Sequence, residues 1–342
     1  MILFNDNREF KTESGTIING LTIAYDTYGT PNADMTNVVW VCHALTANSD
    51  VADWWPETVV PGRFLDPEKY FVICANVLGS CYGTTGPTSI NPETGEPWGD
   101  SFPIISVRDM VECHRRLAEH LDINSVEMLI GSSLGGFQCL EWAIIDPSFV
   151  RNLVLIATGS YTRPWAAAFN DAQRMALLAD STYGIPGGGK AGIAAARAIA
   201  MLSYRGAHAY DVTQRDTING EQPPFERRAA SYQRHQGTKL ANRFDPCSYM
   251  RMTRAVDSHD VGRGRGGIEK ALATVSARTL VISITSDILF TPADHQDLVD
   301  NISGAIYHEI DSDFGHDGFL IENKLLDRLI KDFLTECNQQ PL

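Results

Sequence analysis

Residues 131–135 read GSSLG, a G-x-S-x-G pentapeptide of a kind that carries nucleophilic chemistry. An apolar run, VEMLI, precedes it and a helical pattern follows it, which is the strand–turn–helix context of a nucleophile elbow. The turn of such an elbow is sharp, and a side chain beside the nucleophile would collide with the neighbouring strand and helix. Because only Ser133 has glycines two residues before it and two after it, we predict Ser133 rather than Ser132 as the nucleophile.

A serine hydroxyl is a poor nucleophile at neutral pH and needs a general base that an acid holds in place. Asp287 comes just after the apolar run 279–285, and His316 follows the run 305–310. The chain order serine, aspartate, histidine is the order found in α/β hydrolases. We therefore predict a catalytic triad of Ser133, Asp287 and His316.

Acyl transfer also needs two backbone N–H groups that stabilise the oxyanion of the tetrahedral intermediate. Leu134, directly after the predicted nucleophile, is expected to donate one of them. The loop after the apolar run 37–44 is expected to provide the other, and Leu45 is the residue that we predict there.

The elements that must position these residues are visible as apolar runs separated by helical patterns. The runs are residues 37–44, 70–77, 126–131, 152–157, 279–285 and 305–310. Continuous apolar runs are typical of parallel strands that are covered on both faces. Helical spacing of apolar residues predicts helices over 106–121, 135–145 and 321–336. An Asn-Gly pair within 16–28 predicts a β-hairpin, and the fold class is α/β, a mostly parallel sheet flanked by helices.

The alternation of strands and helices lapses between about residues 161 and 275. This stretch reads largely as helix and contains no convincing strand. We therefore predict that residues 161–275 are a helical lid, inserted into a core formed by residues 1–160 and 276–342.

Composition excludes several other classes of function. The 342 residues include 28 Lys and Arg against 42 Asp and Glu, for a net charge of −14, which argues against nucleic-acid binding. No apolar run is long enough to span a membrane, and no signal peptide is evident, so we expect a cytoplasmic protein without a membrane partner. Seven cysteines without a C-x-x-C pair, and the absence of an H-E-x-x-H motif, predict no metal site.

Several longer motifs extend beyond the elbow. They are residues 43–46 (HALT), 79–92 (GSCYGTTGPTSINP), 133–142 (SLGGFQCLEW), 231–237 (SYQRHQG), 243–245 (RFD), 257–260 (DSHD), 286–287 (SD) and 315–317 (GHD). Generic esterases share the elbow but not the GTTGP motif or the motifs of the lid. Through these motifs almost the whole chain resembles the homoserine O-acyltransferase family, and especially its homoserine O-acetyltransferases.

This resemblance implies an α/β-hydrolase core with an inserted helical lid, assembled as a homodimer through the lid. It implies transfer of an acetyl group from acetyl-CoA to the hydroxyl of L-homoserine, in methionine biosynthesis, with acetyl-CoA as a co-substrate and no resident cofactor. The same resemblance implies that Arg197 and Tyr204 of the lid, together with Asp317, bind the amino acid. Arg205 is the alternative to Arg197, because the match shifts easily in this part of the lid.

The sequence leaves several alternatives open. Leu134 stands where methionine is common in the family, and a shorter, less familiar segment, 47–55, follows the oxyanion loop. A succinyl donor or serine as the acceptor is therefore an alternative within the same family. A carboxylic-ester hydrolase is a second alternative, since the fold alone does not settle function. A binding protein without catalysis is a third, but such a protein should have lost a member of the triad.

Overall fold

The computed structural model describes residues 1–216 and 226–336, and within these ranges the chain forms ten strands. The strands are β1 (Ile2–Asp6), β2 (Phe10–Lys11), β3 (Ile17–Ile18), β4 (Leu21–Tyr28), β5 (Val38–Cys42), β6 (Phe71–Ala75), β7 (Val126–Ser132), β8 (Val150–Ile156), β9 (Arg278–Ile284) and β10 (Ile306–Ile310). The six predicted runs correspond to β5 to β10. The sequence prediction of these strands is therefore confirmed.

Twelve α-helices accompany these strands in the same described ranges. They are α1 (Val51–Trp54), α2 (Val107–His120), α3 (Leu134–Ile145), α4 (Pro164–Leu178), α5 (Lys190–Tyr204), α6 (Ala207–Thr213), α7 (Arg228–Arg243), α8 (Pro246–Asp257), α9 (Ile268–Leu272), α10 (Gln296–Asn301), α11 (Gly318–Ile321) and α12 (Asn323–Glu336). The predicted helices correspond to α2, α3 and α11–α12. At the start of α2, the Ser106 side chain accepts from the Asp109 N–H, and the Asp109 side chain accepts from the Ser106 N–H.

Eight of the strands form one mostly parallel sheet in the order β1-β4-β6-β5-β7-β8-β9-β10. Strand β4 pairs antiparallel with β1 and β6, whereas every pairing from β6 to β10 is parallel. The carboxyl ends of β5, β7, β9 and β10 therefore meet at one edge of the sheet, where loops commonly carry function in this class of fold. The α/β-hydrolase fold class is confirmed.

Strand β5 shows why the runs in the sequence are continuously apolar. Its side chains alternate between two hydrophobic clusters: Trp40 contributes to one, and Val39 and Val41 to the other. All three side chains are fully buried. A strand that is covered by helices on both faces needs apolar residues at every position, which is the pattern that the sequence displays.

The predicted hairpin over residues 16–28 is wrong. The chain does bend at the Asn-Gly pair, and Gly20 has a positive φ of 75°. The strands on its two sides do not pair, however, because β3 pairs with β2 in a separate small sheet. Both edges of β4 are already occupied by β1 and β6, so the β3 side of the turn has no edge to join.

Six helices, α4 to α9, lie between β8 and β9. No strand lies between Ile156 and Arg278 within the described residues, although Tyr161 and Asp260 form an isolated bridge. We propose that these helices are the predicted lid, over residues 161–275, on a core of residues 1–160 and 276–342. Residues 217–225 of that lid and 337–342 of that core lie outside the described residues.

No helix within the described residues is both long enough and apolar enough to cross a membrane.

Candidate active site

Ser133 lies at the turn between β7 and α3 with backbone angles φ 53° and ψ −124°. A positive φ is strained for a residue with a side chain, and such strain is concentrated at functional sites. The two flanking glycines allow the turn: a Cβ on Gly131 would lie 2.3 Å from the Gly135 backbone, and a Cβ on Gly135 would lie 2.0 Å from the Cys42 carbonyl oxygen. The pentapeptide therefore has the geometry of a nucleophile elbow.

This close packing predicts that Gly135→Ala destabilises the fold by about 1–3 kcal/mol or more, because the new Cβ has to push the backbone of α3 away from that of β5. Denaturant unfolding measures the loss. The matched control is Gly159→Ala, whose Cβ would meet no atom closer than 3.6 Å. We expect the control to change the free energy of unfolding by less than about 1 kcal/mol. Equal stability of the two variants would contradict the packing argument.

His316 and Asp287 are brought together by the loops after β10 and β9. The His316 Nδ1 lies 2.7 Å from Asp287 Oδ2, and both side chains are buried. The other carboxylate oxygen, Oδ1, accepts hydrogen bonds from the N–H groups of Leu289 (2.7 Å) and Phe290 (2.9 Å). With the carboxylate ionised, Nδ1 carries the proton and donates it, so the lone pair of Nε2 is left to accept a proton.

The His316 ring is held among aromatic side chains. The rings of Phe290, Phe319 and Tyr204 have centroids 5.4, 5.5 and 5.7 Å from the imidazole centroid. Phe290 also donates its N–H to Asp287, so the same residue orients both members of the pair. These contacts restrict the rotation of the imidazole and exclude water from its sides.

The two residues predicted as oxyanion donors lie at the start of α3 (Leu134) and in the loop after β5 (Leu45). Leu134 is the first residue of α3, so its N–H has no acceptor within the helix. Gln138 ties the two loops together, because its Nε2 donates to the carbonyls of Leu134 (3.1 Å) and His43 (3.3 Å). Its Oε1 lies 2.8 Å from Nε2 of buried His114, which fixes the direction of the amide.

His43, at the start of the oxyanion loop, is a structural residue rather than a second base. Its Nε2 accepts from the Val77 N–H at 3.1 Å, so Nδ1 carries the proton and donates to the Ala44 carbonyl at 2.8 Å. Burial lowers the pKa of His43 to about 4, so the ring stays neutral near pH 7. The neutral ring anchors the loop that carries Leu45.

A cavity of about 590 Å³ lies above the elbow and joins most of the predicted residues. Its lining includes the predicted site residues Leu45, Ser133, Arg197, Tyr204, His316 and Asp317. Two predicted residues are not among those that line it. Asp287 lies behind His316, which it contacts, and Leu134 follows Ser133 in the elbow. Residues that are far apart in the sequence thus converge on one space, with the lid as one wall.

The two lid arginines have different surroundings. Arg197 lines the cavity, and its guanidinium lies 5.2 Å from the ring centroid of Tyr204. Burial raises the pKa of Tyr204, so its hydroxyl stays protonated near neutral pH. Arg205 is not among the described residues that line the cavity; its Nε instead pairs with Asp317 Oδ2 at 2.7 Å. Of these two arginines, Arg197 is therefore the one that lines the cavity.

The sequence prediction assigned no role to some of the residues that line the cavity. Among them are two cations of α7, Lys239 and Arg243, and the acidic Asp53 of α1. Lys239 and Arg243 are four residues apart, a spacing that puts side chains on one face of a helix. That spacing was visible in the sequence, but the direction in which the face points was not.

Within the described residues, no group of three or more His, Cys, Asp or Glu side chains is arranged to hold a metal ion.

Comparison with known proteins agrees with this geometry. Residues 37–184 match a family model described as the alpha/beta hydrolase fold. A homoserine O-acetyltransferase of Cyclobacterium marinum is 40% identical over 338 residues, which cover 98% of this chain and 95% of that protein. The crystal structure of homoserine O-acetyltransferase from Bacillus anthracis is 25% identical, with a TM-score of 0.89, over 97% of this chain and 96% of that one. Esterase E22, at 24% identity and a TM-score of 0.87 over 97% and 99% of the two chains, shares the fold.

A relative that is 40% identical along almost the entire length of both chains extends the match through the elbow, the lid and the histidine loop. The chain therefore belongs to the homoserine O-acetyltransferase family.

Proposed function

We propose that this protein transfers the acetyl group of acetyl-CoA to the side-chain hydroxyl of L-homoserine, with Ser133 as the nucleophile. The observation that carries the proposal is the cavity itself. Ser133 and His316 line it together with Arg197 and Asp317, which are complementary to the carboxylate and the ammonium of an amino acid. Membership of the family favours homoserine as the acceptor and acetyl-CoA as the donor.

The first half-reaction loads the enzyme. The Ser133 hydroxyl attacks the thioester carbonyl while His316 Nε2 takes its proton, and Asp287 stabilises the imidazolium. The N–H groups of Leu45 and Leu134 stabilise the oxyanion of the tetrahedral intermediate. When the intermediate collapses, the carbon–sulfur bond breaks, His316 returns the proton to the departing sulfur, and acetyl-Ser133 and free coenzyme A remain.

The second half-reaction transfers the group. His316 takes the proton of the homoserine hydroxyl, whose oxygen attacks the acetyl-Ser133 ester. Collapse of the second intermediate releases O-acetylhomoserine and returns the proton to Ser133. The kinetics are therefore expected to be ping-pong. Water competes with homoserine at this step, so the enzyme must hold the acceptor in place and limit the access of water.

Charged side chains hold the acceptor at its two ends. A guanidinium can bind a carboxylate through two parallel hydrogen bonds, and we assign this role to Arg197, with Tyr204 beside it. Asp317, next to the general base, is assigned to the ammonium. The ion pair with Arg205 holds Asp317 through Oδ2, which leaves Oδ1 for the substrate.

The proposal is tested by incubating the purified protein with acetyl-CoA and following the release of free thiol, with and without L-homoserine. We expect rapid release only when homoserine is present, and O-acetylhomoserine as the product. Equal release without homoserine would instead support the ester hydrolase. Succinyl-CoA and L-serine, substituted one at a time, test the two alternatives within the family.

Removal of the proposed carboxylate clamp is expected to separate the two half-reactions. Arg197→Met should raise KM for homoserine by about tenfold or more, because a lost charge-assisted pair costs more than about 1.4 kcal/mol. Formation of acetyl-Ser133 from acetyl-CoA, measured in a single turnover, should be unchanged. Arg205→Met is the comparison, and a larger rise in KM for homoserine in this variant would transfer the role of clamp to Arg205.

We also propose that the protein is a homodimer assembled through the lid. Large apolar side chains are exposed on three lid helices: Trp165, Met175 and Leu178 of α4, Leu202 of α5 and Val212 of α6. Helices α4 and α5 pack on each other, and large exposed apolar side chains on neighbouring helices are typical of protein–protein contacts. Light scattering should give twice the mass of the chain, and the double variant Met175→Glu, Leu178→Glu should give a monomer or a weakened dimer. A monomeric wild-type protein would contradict the proposal.

A further inference from the structure

The active-site cavity contains a second set of cations at its outer end. Lys239 and Arg243 are exposed to solvent while they line the same cavity as Ser133. Arg197, in contrast, is partly buried, and Asp317 is buried beside His316. The exposed pair therefore belongs to the mouth of the cavity, and the charged groups assigned to the acceptor belong to its interior.

These two cations have no carboxylate partner within the described part of the chain. Neither forms an ion pair with a carboxylate of residues 1–216 or 226–336. Asp53 also lines the cavity, without an ion pair to either cation. Unpaired cations are notable in a chain with a net charge of −14, whose overall field repels anions. Such a pair of cations attracts anions locally, although the overall charge of the molecule repels them.

Arg243 is also pre-oriented. Its Nη1 donates to the carbonyl of Thr46 at 2.6 Å and to the hydroxyl of Tyr82 at 2.5 Å. These contacts fix the guanidinium against Thr46 and Tyr82, and leave Nε and Nη2 without a hydrogen-bond acceptor among the described residues. A guanidinium that is held in place loses less conformational entropy when it binds an anion.

We propose that Lys239 and Arg243 bind the phosphate groups of the acyl donor at the mouth of the cavity. This inference rests on the proposed function. In a coenzyme A thioester, the pantetheine arm separates the reacting carbonyl from the diphosphate. When the carbonyl is at Ser133, the arm occupies the cavity. The diphosphate then lies toward the mouth of the cavity. Lysine and arginine are the side chains suited to phosphate, and their four-residue spacing on α7 points both toward the same ligand.

The test compares two donors that differ in their phosphates. Lys239→Glu should raise KM for acetyl-CoA by about tenfold or more, because a cation at the phosphates is replaced by an anion. With S-acetylpantetheine, which has the same thioester and arm but no phosphate, kcat/KM should change by less than about twofold. Raising the ionic strength should raise KM for acetyl-CoA in the wild-type protein, and less so in the variant.

Two further variants complete the experiment. Arg234→Glu makes the same kind of charge reversal at an exposed position of α7 that is not among the described residues lining the cavity, so both donors should be unaffected. Arg243→Lys keeps the charge but loses the two hydrogen bonds of Nη1, and it should raise KM for acetyl-CoA more than KM for S-acetylpantetheine.

The outcomes separate this inference from the proposed function. If the wild-type protein forms acetyl-Ser133 from both donors, and Lys239→Glu impairs both equally or neither, the phosphate site is refuted and the acetyltransferase remains. If the wild-type protein forms acetyl-Ser133 from neither donor, the proposed function fails and the phosphate site fails with it.

Discussion

Ser133→Ala is expected to abolish the acetyl-enzyme and to lower kcat/KM by about 10⁴-fold or more, as the loss of a catalytic serine does elsewhere. The hydroxyl is the atom that receives the acetyl group, and alanine cannot form the ester. Mass spectrometry after incubation with acetyl-CoA should show the wild-type protein with one acetyl group and the variant with none. An acetyl group retained in Ser133→Ala would refute the assignment of the nucleophile.

The neighbouring serine provides a matched control. Ser132 is the last residue of β7 and is buried, and its hydroxyl has no hydrogen-bond partner within the described residues. Ser132→Ala therefore removes a hydroxyl one residue away without breaking a described hydrogen bond. We expect this variant to keep its acetyl-enzyme and to stay within about threefold of wild-type activity. Loss of activity in both variants would point to a disturbed elbow rather than to a missing nucleophile.

The sequence predicts the main sheet well because its strands leave a strong local signal. A parallel strand that is covered on both faces must be apolar at every position, as β5 is. The elbow is predictable for a related reason. The Gly135 backbone approaches Cys42 so closely that only glycine fits. This requirement appears in the sequence as the last glycine of the pentapeptide.

The wrong hairpin prediction shows that local sequence patterns do not determine which strands pair. Asn19 and Gly20 favour a change of direction, and the chain bends there. Which strands pair across it depends on competition for the edges of β4, and the competitors β1 and β6 come from other parts of the chain. A pairing that depends on such competition cannot be read from the few residues around a turn.

The contacts of the lid with the catalytic loop are likewise invisible in the sequence. Arg205 and Asp317 are 112 residues apart, so their ion pair follows only from how α5 lies on the core. At the same place, a Cβ on Gly315 would lie 2.6 Å from the Gly206 nitrogen, and a Cβ on Gly206 would lie 2.3 Å from the Asp313 carbonyl oxygen. Two glycines thus allow the end of the lid helix to pack directly on the loop that carries His316.

Besides forming one wall of the cavity, the lid positions the loop that carries His316. Gly315 also has a positive φ of 64°, so the loop takes its sharp course into His316 at a residue that allows it. The lid therefore helps to fix the position of His316, while Arg197, from the same helix, lines the cavity. With the roles proposed for Arg197 and His316, one element, α5, would position both the acceptor and the base, which suits a reaction in which the acceptor competes with water.

The second large effect is expected for Asp287→Asn, which should lower kcat/KM by about 10⁴-fold, as in other serine–histidine–aspartate sites. The reason is the hydrogen bonds of the carboxylate. Oδ1 accepts from the Leu289 and Phe290 N–H groups, so an asparagine at this position must place its oxygen there. Its NH₂ group then points at His316 Nδ1, which has to become the acceptor.

That exchange reverses the tautomer of the imidazole. With Nδ1 as the acceptor, the proton moves to Nε2, and the ring has no lone pair left to take the proton of Ser133. We therefore expect slow formation of acetyl-Ser133 in a single turnover, with an unchanged thermal midpoint because the shape of the side chain is kept. Asp313→Asn, an exposed carboxylate in the same loop as His316, is the control and should stay within about twofold of wild type. If Asp287→Asn acetylated Ser133 at the wild-type rate, His316 would not depend on Asp287 for its tautomer, and the triad would have to be reassigned.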